Sequence, residues 1–258
     1  MNKKLWITAF VFLLVTANYI FAQSPDDFRI EQLQDGTLSI ESFGGKITTD
    51  TLVIPSHISG IPVTRIAFLD TRERMNNIKR VILPDTLRVI GSRAFVGFDL
   101  QEIVIPRGVI EIGNNAFMRN TSIHTVVIPS SVKLINMSAF LGCEITELYI
   151  ESIFQLSPDA MRFPPFAGHT TYSDLKKITF PANWPNSSLE SLGLPQGFIN
   201  YYKSQGKKAG TYVLNGQIWT YAGAVSNPPA PRPAPTNNAS SSNPPESQPE
   251  LGKFWIEK

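Results

Sequence analysis

The sequence predicts a mainly β solenoid, a curved stack of about five to six similar coils. The first observation behind this prediction is an apolar triplet that recurs at intervals of mostly 22 or 23 residues through the middle of the chain. Each triplet precedes an anchor residue, usually proline, which ends a strand because it has no N–H to donate. The triplets with their anchors are Ile78, Val81, Leu83 and Pro84; Leu100, Ile103, Ile105 and Pro106; Ile123, Val126, Ile128 and Pro129; Ile145, Leu148, Ile150 and Glu151; and Leu175, Ile178, Phe180 and Pro181.

The second observation is a pattern that repeats in register behind three of the anchors. One such unit cannot bury its apolar side alone, whereas stacked units share a continuous core. We expect the alanines to let neighbouring coils approach, the phenylalanines to stack inside, and the Gly or Asn position to adopt positive φ. The matching residues are Leu87, Ile90, Gly91, Ala94 and Phe95; Val109, Ile112, Gly113, Ala116 and Phe117; and Val132, Ile135, Asn136, Ala139 and Phe140.

The order of these residues carries a family resemblance. An apolar pair with proline, then Ile-Gly, then Ala-Phe resembles the BspA-like class of bacterial leucine-rich repeats. Asp35-Gly36, Val53-Ile54-Pro55 and residues 58–63 resemble the first repeat of that family. The resemblance covers about residues 27–181 and implies an exported surface protein that binds other proteins or cells and is not an enzyme.

Two parts of the chain depart from the family pattern. The first unit is irregular around Ile66-Ala67-Phe68. The segment from Glu151 to Pro181 is 30 residues long and lacks the Ile-Gly and Ala-Phe pairs. We therefore expect the edges of the solenoid to be less regular than its middle.

The chain begins with the features of a secretory leader. Asn2-Lys3-Lys4 forms a short basic region, the apolar run Leu5 to Phe21 follows, and Ala22 is a small residue at the expected cleavage point. This predicts export to the periplasm, the cell surface or the medium. The alternative is an uncleaved anchor helix, since an apolar run of this length nearly spans a bilayer.

Five segments follow from these patterns. Residues 23–51 are predicted as an N-terminal β cap, in which a hairpin turns at Asp35-Gly36. Such a cap covers the open end of the first coil, whose bare strand would otherwise invite edge pairing. The full division is a leader at 1–22, the cap at 23–51, the repeats at 52–181, a C-terminal cap module at 182–224, and a tail at 225–258.

The C-terminal module and the tail have contrasting compositions. In the module, residues 198–203 predict a short helix that ends by Gly206, and Asn215-Gly216 predicts a hairpin with a type I′ turn. The tail is rich in Pro, Ser and Asn and is predicted to be disordered. It carries Phe254-Trp255-Ile256, which we interpret either as a docking peptide or as a segment that folds back.

A stripe of solvent-facing residues is the candidate binding surface. The two positions after the first apolar residue of each triplet should point outward, because strand residues alternate between the two faces. The same residues are also compatible with the ordinary solvated face that any solenoid must have. The stripe comprises Lys79, Arg80, Gln101, Glu102, His124, Thr125, Thr146, Glu147, Lys176 and Lys177.

A second outward column is apolar and consists of Ile82, Val104, Val127 and Tyr149. Such a column either forms an exposed patch or is covered by an adjacent segment. We select Tyr149 as the best single binding residue, because interface energy concentrates in aromatic side chains.

Composition and motifs argue against several functions. A net charge of +2 gives no electrostatic reason to expect nucleic-acid binding. The single cysteine, Cys143, cannot form an intrachain disulfide, and we expect it to be a small buried apolar residue. His57, His124 and His169 lack metal-ligand spacing, and no catalytic motif is found. The sequence therefore predicts no enzyme activity, no cofactor and no metal site.

Two functional classes remain. The first is an exported protein-binding or adhesion module at the bacterial cell surface, whose partner is a host extracellular protein or another envelope protein. The second is a structural envelope or periplasmic component whose C-terminal module or tail makes the contact. A hydrolase hidden in the C-terminal module is a third, smaller alternative. Contact with a membrane is expected only through an uncleaved leader.

Overall fold

The protein folds into a β solenoid of about five turns, as its sequence predicts. The structure is a computed structural model that describes residues 25–44, 50–67, 78–167 and 175–224. The leader at 1–22 and the tail at 225–258 lie outside the described residues. The strands are β1 (Phe28–Gln32), β2 (Leu38–Phe43), β3 (Thr51–Val53), β4 (His57–Ile58), β5 (Ile61–Ile66), β6 (Arg80–Ile82), β7 (Val89–Ile90), β8 (Glu102–Ile103), β9 (Glu111–Ile112), β10 (Thr125–Ile128), β11 (Leu134–Ile135), β12 (Glu147–Ile150), β13 (Gln155–Leu156), β14 (Lys177–Phe180), β15 (Gly210–Asn215) and β16 (Ile218–Gly223).

Short helices interrupt this pattern mainly toward the C-terminal side. They are α1 (Pro158–Arg162), α2 (Asn186–Leu189) and α3 (Gln196–Ser204), with 3-10 turns at Pro25–Asp27 and Glu190–Leu192. Ser157 caps α1, since its hydroxyl accepts a hydrogen bond from Ala160 N–H.

The strands form three sheets on two sides of the coils. One side is a continuous sheet with the order β1-β2-β5-β7-β9-β11-β13, to which β4 is attached through β5. The other side contains two sheets, β3-β6-β8 and β10-β12-β14-β15-β16. Successive coils pair in parallel, whereas the hairpins at both ends pair antiparallel.

A column of stacked phenylalanines runs through the core. The ring centroids of Phe95 and Phe117 are 5.5 Å apart, and those of Phe117 and Phe140 are 5.1 Å apart. All three side chains are fully buried, so the predicted stacking is confirmed. Burying a side chain of this size stabilises the fold by about 1.5–3 kcal/mol, so the column contributes strongly to stability.

The column continues one coil further than the sequence pattern indicated. Phe166 stacks on Phe140 at 5.3 Å and is also fully buried. This coil therefore keeps a stacked phenylalanine although its sequence lacks the Ala-Phe pair. Phe166 follows Leu156 by 10 residues, whereas Phe95 follows Ile90 by 5, because α1 is inserted between the two core positions.

Gly91 and Gly113 occupy equivalent positions in two coils, but the reason for glycine there is not the positive φ that the sequence suggested. Neither residue adopts positive φ, and neither does Asn136. A Cβ at Gly91 would lie 2.5 Å from Ile66 O, and one at Gly113 would lie 2.6 Å from Gly91 C. Glycine is required there by the close approach of successive coils. The left-handed residues come two positions later, at Arg93, Asn115 and Ser138.

The N-terminal cap has the predicted hairpin. Strands β1 and β2 are antiparallel, with Ile30 opposite Ile40. The Asp35 carboxylate accepts hydrogen bonds from Thr37 N–H at 3.0 Å and from the Thr37 hydroxyl at 2.7 Å, and these bonds lower the pKa of Asp35. Gly36 supplies the left-handed residue, with φ of 83°. The cap joins the continuous sheet through the parallel pairing of β2 and β5.

The C-terminal hairpin is present, but its turn differs from the prediction. Asn215 belongs to β15 and pairs with Ile218, so Gly216 and Gln217 form the turn. Positive φ occurs at Gly216 and not at Asn215 or Gln217, which is the pattern of a type II′ turn. The type I′ prediction was wrong because the Asn-Gly pair lies one position earlier relative to the turn than that type requires.

The C-terminal module is built onto the last coil. Strand β15 pairs antiparallel with β14, so the hairpin extends the sheet of the repeats. The Phe180 ring on β14 packs against Trp184, Phe198 and Tyr202 at centroid distances of 4.9, 5.3 and 5.0 Å. These contacts cover the apolar end of the stack.

The close approach at Gly113 leads to a mutational prediction. We expect Gly113→Ala to lower the free energy of unfolding by about 1–3 kcal/mol, because the added methyl group would clash with backbone atoms of the preceding coil, which would have to move. Urea unfolding would measure the change. Gly197→Ala on α3 is the matched control, since its Cβ would meet no atom nearer than 3.6 Å and alanine favours a helix by roughly 0.5–1 kcal/mol. A similar loss in both variants would contradict the explanation.

Candidate protein-binding surface

The predicted stripe lies on one side of the solenoid, along β6, β8, β10, β12 and β14. Strand pairing places Arg80 opposite Glu102, and it places Glu147 between Thr125 and Lys177. All ten stripe residues reach the surface, as the alternation of the strands predicted. The exposed ones are Lys79, Gln101, His124, Thr125 and Lys176, and the half-buried ones are Arg80, Glu102, Thr146, Glu147 and Lys177.

Ion pairs within the protein occupy both charged ends of the stripe. Arg80 Nε lies 3.5 Å from Glu102 Oε1, and Lys177 Nζ lies 3.5 Å from Glu147 Oε2. The side chains of these pairs are 32–41% exposed, so each pair adds little to stability. The charges nevertheless compensate one another locally, which leaves the centre of the stripe as its least charged part.

Tyr149 is not an exposed binding residue. It is only 3% exposed, and its hydroxyl donates a 2.6 Å hydrogen bond to Glu147. Lys177 Nζ lies 5.1 Å from the centre of the ring, and burial followed by the Glu147 contact raises the pKa of the hydroxyl. The selection of Tyr149 as an accessible hot spot was therefore wrong, because neighbouring charged side chains fold over the ring. In the same column, Ile82 and Val127 are half-buried and Val104 is 39% exposed.

The middle of the stripe contains a break in the strand ladder, which we call the seam. Regular coils repeat one backbone bond: Gln101 N–H donates to Lys79 O at 2.9 Å, and Thr146 N–H donates to His124 O at 2.8 Å. Between these two bonds, both within the described residues, β8 and β10 do not pair with each other, and the equivalent bond from His124 N–H to Gln101 O is missing. The seam is flanked by Gln101, Val104, His124 and Thr125, all of which are exposed.

One additional residue accounts for the seam. Phe117 precedes Ile123 by 6 residues, whereas the equivalent Phe95 and Leu100 are separated by 5. The insertion lies directly before β10 and shifts this strand relative to β8. Ser122 in the inserted turn donates a 2.7 Å hydrogen bond to Asp99 of the preceding coil, which ties the two turns together beside the seam.

A buried amide holds the same coils together on the inside. Asn120 is fully buried, accepts a hydrogen bond from Leu100 N–H at 3.0 Å and donates to the carbonyls of Phe95 and Phe117 at 2.7 and 2.8 Å. No role was assigned to Asn120 from the sequence. The signal was present, because a polar residue replaces Phe98 and Cys143 of the adjacent coils at this position.

A surface ion pair that spans two coils was also missed. Both Arg107 Nη atoms donate to the Glu151 carboxylate at 3.0 Å, and Ser130 N–H of the intervening coil donates to the same carboxylate at 3.1 Å. The replacement of proline by Glu151 in the anchor column was the available signal.

The described residues show no catalytic arrangement around the histidines. His57 is exposed, His124 Nδ1 contacts Glu144 O at 2.9 Å, and His169 lies outside the described residues. Among the described residues, no group of His, Cys, Asp and Glu could hold a metal ion. Within that same part of the chain, no helix has the length and apolar character needed to cross a membrane.

The comparisons with known proteins agree with the repeat pattern and the solenoid. Residues 36–162 match the family model described as the BspA type leucine rich repeat region, in six copies. The chain is a BspA-type leucine-rich repeat protein. Members of this class are typically non-enzymatic scaffolds, and leucine-rich repeats generally bind proteins. The search of curated proteins found no significant match.

Three solved structures of bacterial leucine-rich repeat proteins are similar to this chain. The T. pallidum leucine rich repeat protein is 21% identical, with a TM-score of 0.50, over 72% of this chain and 96% of that one. The Bacteroides ovatus protein is also 21% identical, with a TM-score of 0.44, over 62% and 47%. The leucine rich cell surface protein of Faecalibacterium prausnitzii is 22% identical, with a TM-score of 0.29, over 59% and 52%. The first likeness supports the fold alone.

The lone thiol leads to a prediction about reactivity. Cys143 is buried and donates a 3.2 Å hydrogen bond to Phe117 O, and burial raises the pKa of its thiol from 9.0 to about 12. At pH 9 we therefore expect iodoacetamide to leave the folded protein unlabelled, because the thiolate is the reactive form. In urea at the same pH, the unfolded chain should be labelled at one site. Rapid labelling of the folded protein, read by mass spectrometry, would contradict this assignment.

Proposed function

We propose that this protein is an exported, non-enzymatic protein-binding module that acts in adhesion at the bacterial cell surface. The observation that carries the binding proposal is the seam. It lies in the middle of the outward stripe, where the ladder opens and four neighbouring side chains are exposed. The core of the two coils that flank the seam is continuous, since their Phe95 and Phe117 rings are stacked.

The chemistry of the seam favours a protein partner. Gln101 and Thr125 offer uncharged hydrogen-bonding groups, Val104 offers apolar contact, and His124 carries a ring that is already oriented by Glu144 O. At the same place, the facing backbone groups of β8 and β10 do not bond to each other as they do between other coils, so a partner can bind them. A mixture of apolar contact and hydrogen bonds is typical of protein interfaces, whereas nucleic-acid sites require a basic surface.

Export is supported by the leader at residues 1–22. The basic start, the apolar run and the small residue before Gln23 together have the order that a secretion system recognises. The partner class that follows from export is a host extracellular protein or another protein of the bacterial envelope.

A substitution in the seam tests the binding surface. Immobilised protein would be used to capture host extracellular-matrix proteins, and the affinity of each captured protein would be measured by surface plasmon resonance. We expect Thr125→Arg to weaken binding at least about 10-fold, because a hot-spot contact is worth about 2 kcal/mol or more. Gln155→Arg is the matched control, since Gln155 is an exposed strand residue of the continuous sheet. Equal affinity of both variants would exclude the seam as the contact.

The alternative, contact through the C-terminal module, needs point substitutions instead of a deletion. Removing residues 182–224 would uncover Phe180 and leave β14 as a bare edge, so a loss of binding would have no clear meaning. Retained affinity in Thr125→Arg combined with loss in Lys208→Glu would favour the module, because Lys208 is exposed and belongs to it.

The leader gives a separate prediction. When the full chain is expressed with its own N-terminus in a Gram-negative host, we expect the product outside the cytoplasm with Gln23 as its first residue. Leu14→Arg should retain the protein inside the cell, because a charge in the apolar run prevents insertion. N-terminal sequencing of cell fractions would measure both results. A product that keeps Met1 and stays in the cytoplasm would overturn the export proposal.

A further inference from the structure

Strand β16 is a sheet edge that α3 covers only in part. Within the described part of the chain, it ends the five-stranded sheet and pairs only with β15. Its residues, Ile218–Gly223, include no charge and no proline, although exposed edge strands usually carry such residues to prevent pairing with other chains. The edge strand of the N-terminal hairpin follows the rule, since β1 contains Arg29 and Glu31. The two ends of the solenoid therefore differ in protection.

The apolar exposure of β16 is concentrated at one end. Ile218 is 69% exposed, which is the highest value for a large hydrophobic residue in the described chain. Trp219 is buried against α3, with its ring 5.3 Å from Phe198. An additional strand beside Ile218 would cover its side chain without disturbing the core.

The main chain of β16 limits where another strand can pair. Tyr221 N–H points away from β15 and donates to the Tyr201 hydroxyl on α3 at 3.2 Å. Alternate residues of an antiparallel strand direct their N–H and C=O groups to the same edge, so those of Trp219 also point outward. The part of the edge that remains open is therefore the three residues Ile218–Thr220.

The chain itself contains a segment of matching length and chemistry. Phe254-Trp255-Ile256 combines aromatic and β-branched residues, which favour strands. The chain leaves β16 at Gly223, and residues 224–253 separate the two segments. A flexible chain of that length would span roughly 30 Å, more than the roughly 20 Å length of a six-residue strand. Such a tether also holds the segment at an effective concentration of about millimolar.

We propose that Phe254–Ile256 adds to β16 of the same chain as a short sixth strand alongside Ile218–Thr220. The added strand takes up the outward groups of Trp219 and covers Ile218. It thereby closes the sheet edge that the repeats and the hairpin leave open. This surface is distinct from the seam, so the proposal is independent of partner binding there.

Hydrogen exchange on the full chain tests the proposal. We expect the amide of Trp219 to exchange at least about 10-fold more slowly in the wild type than in Trp255→Pro, because proline prevents strand pairing at that position. Ser247→Pro is the matched control and should exchange like the wild type, since Ser247 lies outside the apolar triplet. Mass spectrometry of a peptide that covers residues 218–223 would measure the rates.

Three results would overturn the proposal. Equal exchange in the wild type and Trp255→Pro would show that the triplet does not pair with β16. Equal effects of Trp255→Pro and Ser247→Pro would show that any change in the tail is sufficient. Protection that disappears on dilution would show that the triplet pairs with a second copy of the chain. None of these measurements depends on the partner tested with Thr125→Arg.

Discussion

The stacking of coil on coil through shared apolar columns is the interaction on which the rest of the structure depends. No coil has enough residues to enclose its own apolar side, so each coil is stable only against its neighbours. The phenylalanine column shows this most directly, because it runs from Phe95 to Phe166 at ring distances of 5.1–5.5 Å. Hydrogen bonding between coils is secondary to this packing. The column and the continuous sheet pass the seam without interruption, although the ladder on the other side is broken there.

The seam illustrates how a repeat protein acquires a distinctive surface. A one-residue insertion in the core columns would shift every later contact, whereas an insertion in a turn displaces one strand edge. The insertion before Ile123 belongs to the second kind. The inner contacts are retained by Asn120, whose amide satisfies three backbone groups of the adjoining coils. Local irregularity on the outside is therefore compatible with a regular interior, which is the condition that a specific binding surface requires.

Much of the interior could be predicted from the sequence, because burial selects residues by apolar character and period. Positions such as Leu87, Ile90 and Phe95 are fully buried as the repeat spacing indicated. The errors concern features that spacing does not encode. Phe166 was missed because α1 changes the spacing, and the glycines were misinterpreted because a close approach and a positive φ select the same residue. Tyr149 was misjudged because part of its cover comes from Lys177, which lies on the next strand and far along the chain.

The candidate surface was only partly visible in the sequence. Alternation identified which residues face outward, since that depends on strand geometry alone. It did not show that Arg80 pairs with Glu102 and Lys177 with Glu147, because pairing depends on side-chain reach across strands. The seam could be recognised only in the structure, since a single extra residue in a turn gives little indication of which strand it will displace.

The bridge between Arg107 and Glu151 has a consequence for how this protein can evolve. Repeat arrays commonly gain or lose whole units, because each unit contacts only its neighbours. Here, however, one guanidinium spans an intermediate coil, and Ser130 N–H of that coil binds the same carboxylate. Duplicating or deleting a unit between the two residues would separate the partners or bring them too close. A change of copy number in this part of the array would therefore break the bridge.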